Sequence, residues 1–504
     1  MSDLLTKEDY QAVAAGLSLP TEAFLNGAFR KPNAGKTMKT VNPATGQVLA
    51  QISACDASDV DDAVAAAKAA FEGGSWSQRH PGERKAVLLQ LAQLIEDNQT
   101  ELAVLESLES GKPISECVQT DLPETISTIR WHAEAIDKLY DQVSPANADG
   151  IGLIVREPLG VAGCVLPWNF PLMMLAWKIG PALAGGNSVV VKPAEQTSMT
   201  ALRVAELAHQ AGIPAGVLNV LPGLGPDVGE PMGRHPDIQA LSFTGSTEVG
   251  RLFLEFSAQS NLKKVILECG GKNPAVVLSD AGNLDAVAEH AVFAALWNMG
   301  QNCTANSRLI VHKDLAGELL AKVQEKLAEW HTGDPLEPSN QLGAIISQEQ
   351  YGKILGYIQS AKDQGAELAA GGKAIERDGG LFIEPTLFTG VTPSMTIAQE
   401  EIFGPVFAMM VVGSDEEAIK LANDTCYGLQ ASLYTSNVTK AHKYGRMLQA
   451  GTVSVNCYGE GDITTPFGGY KLSGFGGRDN SLMAHDQYTE TKTLWIDISA
   501  DPAA

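Results

Sequence analysis

The sequence predicts an α/β protein of two or more domains, and three observations support this prediction. The chain has 504 residues, more than one simple core usually contains. From Gly150 onward, short runs rich in Val and Ile alternate with amphipathic segments, a pattern typical of a parallel sheet covered by helices on both faces. A second alternation of the same kind begins after Asp280. We expect ligands to bind at the carboxyl ends of such strands.

Composition excludes several classes of partner. The 36 basic and 59 acidic side chains give a formal charge of −23, which argues against nucleic acid and anionic membrane surfaces as partners. The seven cysteines form no Cys-x-x-Cys pair and no Cys/His cluster, which predicts a reducing compartment and no metal site.

The sequence also predicts a cytoplasmic location. Residues 1–10 are polar and lack the apolar core of a secretion signal. The apolar stretch 161–186 is interrupted by Pro, Asn and Lys, so we interpret it as a buried strand, a turn and a helix rather than a membrane span.

The N-terminal part of the chain predicts a small β region followed by helices. Turn signals at Asn26-Gly27 and Thr45-Gly46 lie within predicted strands and turns over residues 21–53. Apolar residues at helical spacing then predict helices over 60–71, 83–110 and 122–140.

The two alternating regions follow. In the first, we predict strands at 160–166, 188–192, 217–221, 240–243, 264–267 and 275–278, and helices at 173–184, 198–211, 225–233 and 247–260. In the second, we predict strands at 307–311, 407–412, 431–434 and 451–456, and helices at 284–298, 315–329, 348–364, 415–423 and 438–448. Residues 488–498 alternate like an edge strand, and terminal edge strands often pair across a subunit boundary.

Cys303 is the candidate nucleophile. It follows Gly300-Gln301-Asn302, which should end the helix at 284–298 and present the thiol on a turn. A thiol becomes nucleophilic when its pKa is lowered or a neighbouring base removes its proton. An inert buried cysteine is the alternative interpretation.

Four further motifs lie at predicted strand ends or turns. Asn169, between two prolines, could donate to an oxyanion, although it could equally stabilise the turn. Lys192 and Glu195 could hold a ribose, and Gly245-Ser246 opens a helix whose N-terminus could face a phosphate. Glu268, beside two glycines in apolar surroundings, could act as a general base.

Together these motifs resemble those of the NAD(P)-dependent aldehyde dehydrogenase superfamily, over nearly the whole chain. The resemblance is carried by the segments Pro167-Trp168-Asn169, Lys192-Pro193, Glu268-Cys269-Gly270-Gly271-Lys272, Gly300-Gln301-Asn302-Cys303 and Glu401-Ile402-Phe403-Gly404-Pro405. It implies a Rossmann-like NAD-binding domain (1–140 and 160–270), an α/β catalytic domain (271–470) and a small β oligomerisation element (141–159 and 486–504). It also implies a homodimer or homotetramer.

The resemblance implies a role for each matching residue. Cys303 would attack the aldehyde, Asn169 would hold the oxyanion, Glu268 would activate the hydrolytic water, and Lys178 would relay protons. The cofactor would be held by Trp168, Lys192, Glu195, Gly245, Ser246, Glu401 and Phe403. Glu195 should favour NAD, because a 2′-phosphate would face its carboxylate, although NADP remains open.

Two positions depart from the family pattern without removing a reacting group. Cys269 stands where leucine is usual, and it could loosen Glu268. Asn306 stands where glycine is usual, and we expect it to adopt the positive φ that asparagine tolerates.

Acidic residues suggest the substrate class. Asp121, Glu124, Glu460 and Asp462 are expected near the tunnel mouth, with Trp177 as an apolar wall, and acids there suit an ammonium or guanidinium tail. Solvated loop acids are the alternative interpretation. The overall pattern is similar to bacterial γ-glutamyl-γ-aminobutyraldehyde and 4-guanidinobutyraldehyde dehydrogenases, which implies polyamine or arginine catabolism. A broad-range or hydroxy-aldehyde enzyme and a non-catalytic binding homologue are the alternatives; an α/β-hydrolase is disfavoured because no G-x-S-x-G motif is present.

Overall fold

A computed structural model describes residues 4–499 of the chain. Its strands are β1 (Ala23–Leu25), β2 (Ala28–Arg30), β3 (Thr37–Val41), β4 (Val48–Ser53), β5 (Gln142–Ser144), β6 (Gly150–Pro158), β7 (Val161–Val165), β8 (Ser188–Lys192), β9 (Leu218–Val220), β10 (Ala240–Gly245), β11 (Lys264–Cys269), β12 (Pro274–Val277), β13 (Arg308–His312), β14 (Glu367–Ala370), β15 (Ala374–Ile375), β16 (Phe382–Ile383), β17 (Thr386–Thr389), β18 (Val406–Val412), β19 (Gln430–Tyr434), β20 (Thr452–Val455), β21 (Gly474–Phe475) and β22 (Thr489–Asp497).

Its α-helices are α1 (Lys7–Gly16), α2 (Ala57–Glu72), α3 (Pro81–Asp97), α4 (Gln99–Ser110), α5 (Ile114–Glu116), α6 (Leu122–Ala135), α7 (Pro171–Ala184), α8 (Met199–Gln210), α9 (Glu230–Arg234), α10 (Thr247–Ala258), α11 (Leu284–Leu296), α12 (Lys313–Leu327), α13 (Gln348–Asp363), α14 (Thr396–Gln399), α15 (Asp415–Asn423), α16 (Val438–Met447) and α17 (Met483–Gln487). Short π-helical turns occupy Cys117–Asp121 and Gly225–Gly229.

The first sheet has the strand order β2-β1-β9-β8-β7-β10-β11-β21, and its five strands from β9 to β11 are parallel. Successive side chains of β8 enter different cores, because strand residues alternate between faces. Val189 and Val191 pack with helices α3, α6, α7 and α8, whereas Val190 packs with α2, α9 and α10. This arrangement confirms the predicted α/β class and places the ends of β7, β8, β10 and β11 along one edge.

The second sheet has the order β14-β17-β18-β13-β12-β19-β20, and all neighbours except β14 and β17 are parallel. Helices α11, α12 and α13 cover one face, and α15 and α16 cover the other. The segment between α11 and β13 carries Cys303.

A third sheet of order β22-β6-β5 joins the predicted oligomerisation segments to each other. β22 pairs antiparallel with β6 from Thr489 opposite Pro158 to Asp497 opposite Gly150. Large apolar side chains remain exposed on it, including Trp495 at 64% and Val143 at 72%. Its part in subunit contact stays a prediction, and residues 1–3 and 500–504 of the predicted segments lie outside the described residues.

Several elements differ from the sequence prediction, and strands β14 and β17 of the second sheet were not predicted. Helix α1 was not predicted, although Thr6 and Asp9 form a capping box at its start. The single helix predicted over 83–110 is broken at Asn98. Strand β21 returns to the first sheet beyond the predicted limit at residue 470; the domain limits themselves stay predictions. Within residues 4–499, no helix is long and apolar enough to cross a membrane.

Candidate active site

Two adjoining cavities lie where the first sheet meets the second unit. The smaller one, about 230 Å³, is lined by Cys303, Glu268, Asn169 and mainly apolar side chains. The larger one, about 570 Å³, is lined by Lys192, Glu195 and the first turns of α9 and α10. Both are bordered by Trp168, Thr244, Gly245, Ser246 and Gln350, so the two cavities share a wall.

Cys303 lies on a sharply reversed turn, as predicted. After α11, residues Asn298, Met299 and Gly300 have φ values of 53°, 55° and 64°. A Cβ atom at Gly300 would lie 2.1 Å from the Gly404 carbonyl oxygen, so this position requires glycine. The thiol is half-buried. Burial and the nearby carboxylates of Glu460, Glu401 and Glu268 raise the pKa of Cys303 well above its usual range, so the thiol needs a base or a bound ligand to ionise.

The Asn169 side chain lies beside the turn of Cys303. Its Nδ2 donates to the carbonyl oxygen of Gln301 at 3.0 Å. A carboxamide has two N–H groups, so one remains for another acceptor at the cavity, which Asn169 lines. The arrangement can donate a hydrogen bond to an oxygen next to Cys303.

Glu268 is buried at the end of β11. Neither of its carboxylate oxygens has a hydrogen-bond partner within residues 4–499. Burial and the charge of Asp479 raise the pKa of Glu268 well above its usual range, while Lys178 and Arg478 oppose this shift. Such a group can take a proton from water or a thiol in the same cavity.

Lys178 is paired with an acid that the sequence analysis missed. Its Nζ lies 2.6 Å from Oδ2 of Asp479, and both side chains are buried. Asp479 also lines the cavity with Glu268. The pair joins positions 301 residues apart. The only local signal for Asp479 is the preceding Gly476-Gly477 pair.

The larger cavity contains the predicted ribose and phosphate groups. Lys192 Nζ donates to the Pro193 carbonyl at 3.0 Å and lies 3.4 Å from Oε2 of Glu195. Burial lowers the pKa of Lys192. Ser246 caps α10 by accepting from the Val249 N–H at 3.2 Å, and the remaining free N–H groups of that helix end can bind an anion.

Glu401 and Phe403 line the smaller cavity. The Gly271 N–H donates to Glu401 Oε1 at 2.8 Å, and burial raises the pKa of Glu401 to about 6. The Phe403 ring meets the Trp168 ring edge-on at 5.2 Å. Gln350, at the start of α13, donates to the carbonyls of Ile402 and Phe403 at 3.0 and 2.8 Å.

The sequence analysis also missed two residues at the start of α13. Gln350 and Lys353 both line the smaller cavity, and the charge of Lys353 lowers the pKa of Glu401. The sequence feature that could have identified them is the predicted helix 348–364, whose first turn carries polar side chains on one face.

The part of the smaller cavity that does not border the larger one is lined by aromatic side chains and one acid. Trp177 packs edge-on against Phe467 at 5.0 Å, and both line the cavity. Glu460 also lines it and accepts from the Thr304 hydroxyl at 2.5 Å. Burial raises the pKa of Glu460 to about 7, with the charge of Glu124 acting in the same direction.

Two predicted substrate residues do not line the smaller cavity. Asp121 is fully buried in a π-helical turn, where its carboxylate is paired with Lys112, so it does not reach the cavity. Asp462 is exposed and accepts from the Thr464 N–H at 2.8 Å and the Thr464 hydroxyl at 2.5 Å. It therefore caps a surface turn, and its role at the tunnel mouth stays a prediction.

The two departures from the family pattern are accommodated differently. Asn306 was expected to adopt a positive φ, but it is not among the residues with that conformation. Its N–H instead donates to the Ala294 carbonyl at 3.0 Å, and its Nδ2 donates to Gln430 Oε1 at 2.5 Å. Cys269 is buried, and burial raises the pKa of its thiol to about 12.

Comparison with known proteins shows the same family over nearly the whole chain. The model of the aldehyde dehydrogenase family matches residues 29–494. An aminoacetaldehyde dehydrogenase of Pseudomonas aeruginosa is 58% identical over 99% of this chain and 100% of its own length.

Two solved structures are similar in fold as well as sequence. The indole-3-acetaldehyde dehydrogenase of P. syringae, in complex with NAD+ and IAA, is 47% identical with a TM-score of 0.97. The γ-glutamyl-γ-aminobutyraldehyde dehydrogenase of Burkholderia cenocepacia is 48% identical with a TM-score of 0.96. Each comparison covers 98% of this chain and 100% of the other. The chain therefore belongs to the aldehyde dehydrogenase family.

Proposed function

We propose that this enzyme oxidises aldehydes with an amino, γ-glutamylamino or guanidino tail to carboxylic acids, with NAD as the oxidant. The observation that carries this proposal is the shared cavity of Cys303, Glu268 and Asn169, which adjoins a cleft suited to a dinucleotide. Nucleophile, base and oxyanion donor thus surround one space large enough for a small carbonyl compound.

Cys303 attacks the aldehyde carbon and forms a thiohemiacetal. Because the pKa of Cys303 is raised, its proton must leave during or before the attack, and Glu268 in the same cavity is the base that takes it. The carbonyl oxygen becomes an oxyanion beside Asn169, whose free N–H and the Cys303 backbone N–H stabilise it.

The larger cavity supports NAD as the cofactor. Lys192 and Glu195 would hold the adenine-side ribose, the N-terminus of α10 at Gly245 and Ser246 would hold the pyrophosphate, and Glu401, Phe403 and Trp168 would border the nicotinamide half. When bound, NAD accepts the hydride that turns the thiohemiacetal into a thioester. The Glu195 carboxylate disfavours the 2′-phosphate of NADP.

Glu268 then activates the water that hydrolyses the thioester. Its carboxylate is available because no group of the described chain bonds to it. The Asp479 carboxylate, which lines the same cavity and pairs with Lys178, is the group that can accept the proton from Glu268.

Glu460 is the residue that recognises the substrate tail. Its carboxylate is held by the hydroxyl of Thr304, next to the nucleophile, and no Lys or Arg of residues 4–499 is among the groups that shift its pKa. A buried acid without a cation favours a ligand that brings one. The relatives named for aminoacetaldehyde and γ-glutamyl-γ-aminobutyraldehyde support this class.

A broad-range aldehyde dehydrogenase is the second candidate. The remaining wall consists of Met173, Met174, Trp177, Trp297 and Phe467, which would accept a neutral or aromatic aldehyde. The relative named for indole-3-acetaldehyde favours this reading.

Steady-state NADH formation with 4-guanidinobutyraldehyde, 3-aminopropanal, indole-3-acetaldehyde and propanal separates the two candidates. A kcat/KM at least about tenfold higher for the cationic aldehydes than for propanal supports tail recognition. Equal values leave a broad-range enzyme. Repeating the assay with NADP measures the cofactor preference.

Iodoacetamide tests catalysis against a binding-only role. Alkylation of Cys303, located by peptide mass analysis, should abolish NADH formation. Bound NAD should not slow the alkylation of the exposed Cys426 and Cys457. NADH formation that survives full alkylation of Cys303 would contradict the proposed nucleophile.

We also propose a cytoplasmic homodimer or homotetramer. The exposed apolar side chains on β5, β6 and β22 support an intersubunit contact through this sheet. Sedimentation of the enzyme, with a Trp495→Lys variant as the comparison, tests this assignment.

A further inference from the structure

A buried amide that the proposed chemistry does not use holds the turn of Cys303 in place. Asn298 is 1% exposed and has a left-handed backbone with φ of 53°. Its Nδ2 donates to two carbonyl oxygens, that of Asn169 at 2.8 Å and that of Gln301 at 3.1 Å. One side chain therefore joins the two segments that meet at the nucleophile.

The position of these two segments decides where an oxyanion can lie. Asn169 follows β7 of the first sheet, whereas Gln301 lies two residues before Cys303 in the second unit. The Asn169 carboxamide donates to the same Gln301 carbonyl that accepts from Asn298. A shift of either segment would separate the Asn169 N–H from the Cys303 N–H.

Asparagine meets both requirements of this position. A left-handed backbone is tolerated well by Gly and Asn and poorly by most other residues. Glycine at position 298 would keep the backbone conformation but donate to neither carbonyl. Aspartate would keep the shape but has no N–H, and its carboxylate would face two carbonyl oxygens.

A buried carboxylate supports Asn298 from behind. The Asn298 backbone N–H points to Oε1 of Glu116 at 3.4 Å. Glu116 ends α5, and Lys112 of the same region lies 4.0 Å above the ring of Phe170, the neighbour of Asn169. The segment at 112–116 thus packs behind both parts of the oxyanion site.

We propose that Asn298 is a positioning residue for aldehyde oxidation, which fixes the Asn169 carboxamide and the Cys303 turn in one arrangement so that both donors point to the same oxygen. It touches neither substrate nor cofactor and acts through Asn169. The inference rests on the proposed roles of Asn169 and Cys303.

Asn298→Gly is the direct test, because it keeps the left-handed turn and removes both bonds. We expect kcat to fall about 10- to 100-fold, the loss that a displacement near 1 Å produces, with the KM for NAD unchanged. A wild-type kcat in the folded variant would overturn the proposal.

Asn187→Ala provides a matched control for a purely structural loss. Asn187 is also fully buried, and its Nδ2 donates to the carbonyls of Ala182 and Tyr488 at 2.9 and 3.0 Å. It precedes β8, at the sheet edge away from both cavities. We expect a lower Tm and a kcat near that of the wild type; an equal loss of kcat in both variants would overturn the proposal.

A double-variant cycle with Asn169→Ala shows whether Asn298 acts through Asn169. We expect Asn298→Gly to lower kcat little further in the Asn169→Ala background, whereas losses that multiply would overturn the proposal. If Asn298→Gly fails to fold, Asn298→Ser replaces it in the same cycle, because serine can donate to one carbonyl only; the same outcomes apply.

The single variant Asn169→Ala tests the proposed function independently of Asn298. Wild-type activity of this variant would contradict the oxyanion role of Asn169.

Discussion

Glu268 and Glu460 face the nucleophile from two regions of the cavity that are built differently. Glu268 ends a central strand, is 3% exposed and has no hydrogen-bond partner in the described chain. Glu460 lies on the loop after β20, and its carboxylate accepts from the Thr304 hydroxyl. Burial raises the pKa of both groups, well above the usual range for Glu268 and to about 7 for Glu460.

We propose that this difference separates a reacting acid, Glu268, from a recognising acid, Glu460. A base must keep its distance to the thioester in every turnover, and a sheet provides that rigidity. A residue that reads the substrate tail can lie on a loop, because loops vary among relatives without disturbing the core. In this proposal, a glutamate acts as the base in one region of the cavity and a second glutamate determines substrate selectivity in the other.

The largest expected effect is on Glu268. Glu268→Gln should lower kcat about 10²- to 10⁴-fold, the range for loss of a general base, for cationic and neutral aldehydes alike. Stopped-flow absorbance at the NADH band checks this value. A variant that loses activity on cationic aldehydes only would erase the distinction between the two acids.

Glu460→Gln should act on selectivity. We expect kcat/KM for 4-guanidinobutyraldehyde to fall about 10- to 100-fold, since a charge-assisted bond contributes about 1.5–3 kcal/mol, while propanal changes little. Asp462→Asn is the matched control, because this acid lies on the same loop but is exposed and bonded to Thr464. If both substitutions lowered kcat/KM equally, the loss would come from the overall negative charge of the loop and not from Glu460 in particular.

The selectivity should also depend on pH. The pKa of Glu460 is about 7, so its carboxyl is largely protonated below that value and charged above it. The guanidinium of 4-guanidinobutyraldehyde does not titrate in this range. We therefore expect its KM to fall as pH rises from about 6 to 8 in the wild type, and to change much less in Glu460→Gln. A KM that falls equally in both enzymes would exclude Glu460 as the titrating group.

The smallest effect concerns stability. The pKa of Glu460 in the folded enzyme lies above its ordinary value of 4.5, so the folded state binds this proton more tightly than the unfolded state. The resulting stabilisation is present below the ordinary pKa and is lost as pH rises through about 7. Glu460→Gln should therefore raise Tm by about 1–3 °C at high pH and change it less at low pH, as differential scanning calorimetry would show. A lower Tm at high pH would contradict the burial argument.

The sequence predicted most of the fold because the parallel strands are short, continuous apolar runs. The predicted strand 188–192 and helix 415–423 agree with Ser188–Lys192 and Asp415–Asn423. Helix α1 was missed because it has few large apolar residues, and the break at Asn98 was missed because apolar spacing continues across it.

The site residues that follow or end regular elements were predictable from the sequence. Residues whose position depends on an ion pair with another segment were less predictable. Asn169, Lys192, Glu268 and Cys303 follow or end regular elements, so their grouping could be inferred from the topology. Asp121 could not be placed, because Lys112 neutralises it inside the core. Glu460 and Asp462 are two residues apart on one loop, and only the structure shows that they lie in different environments.

Single-turnover kinetics of Glu268→Gln and Glu460→Gln with 4-guanidinobutyraldehyde would test the assignment of the two acids most directly. We predict that Glu268→Gln gives a slower burst of NADH, because Cys303 loses the base that takes its proton, and then stalls as the thioester, which mass spectrometry would detect on Cys303. We predict that Glu460→Gln shows a slower burst at subsaturating aldehyde and normal thioester hydrolysis. Accumulation of the thioester in Glu460→Gln, or its absence in Glu268→Gln, would contradict the assignment.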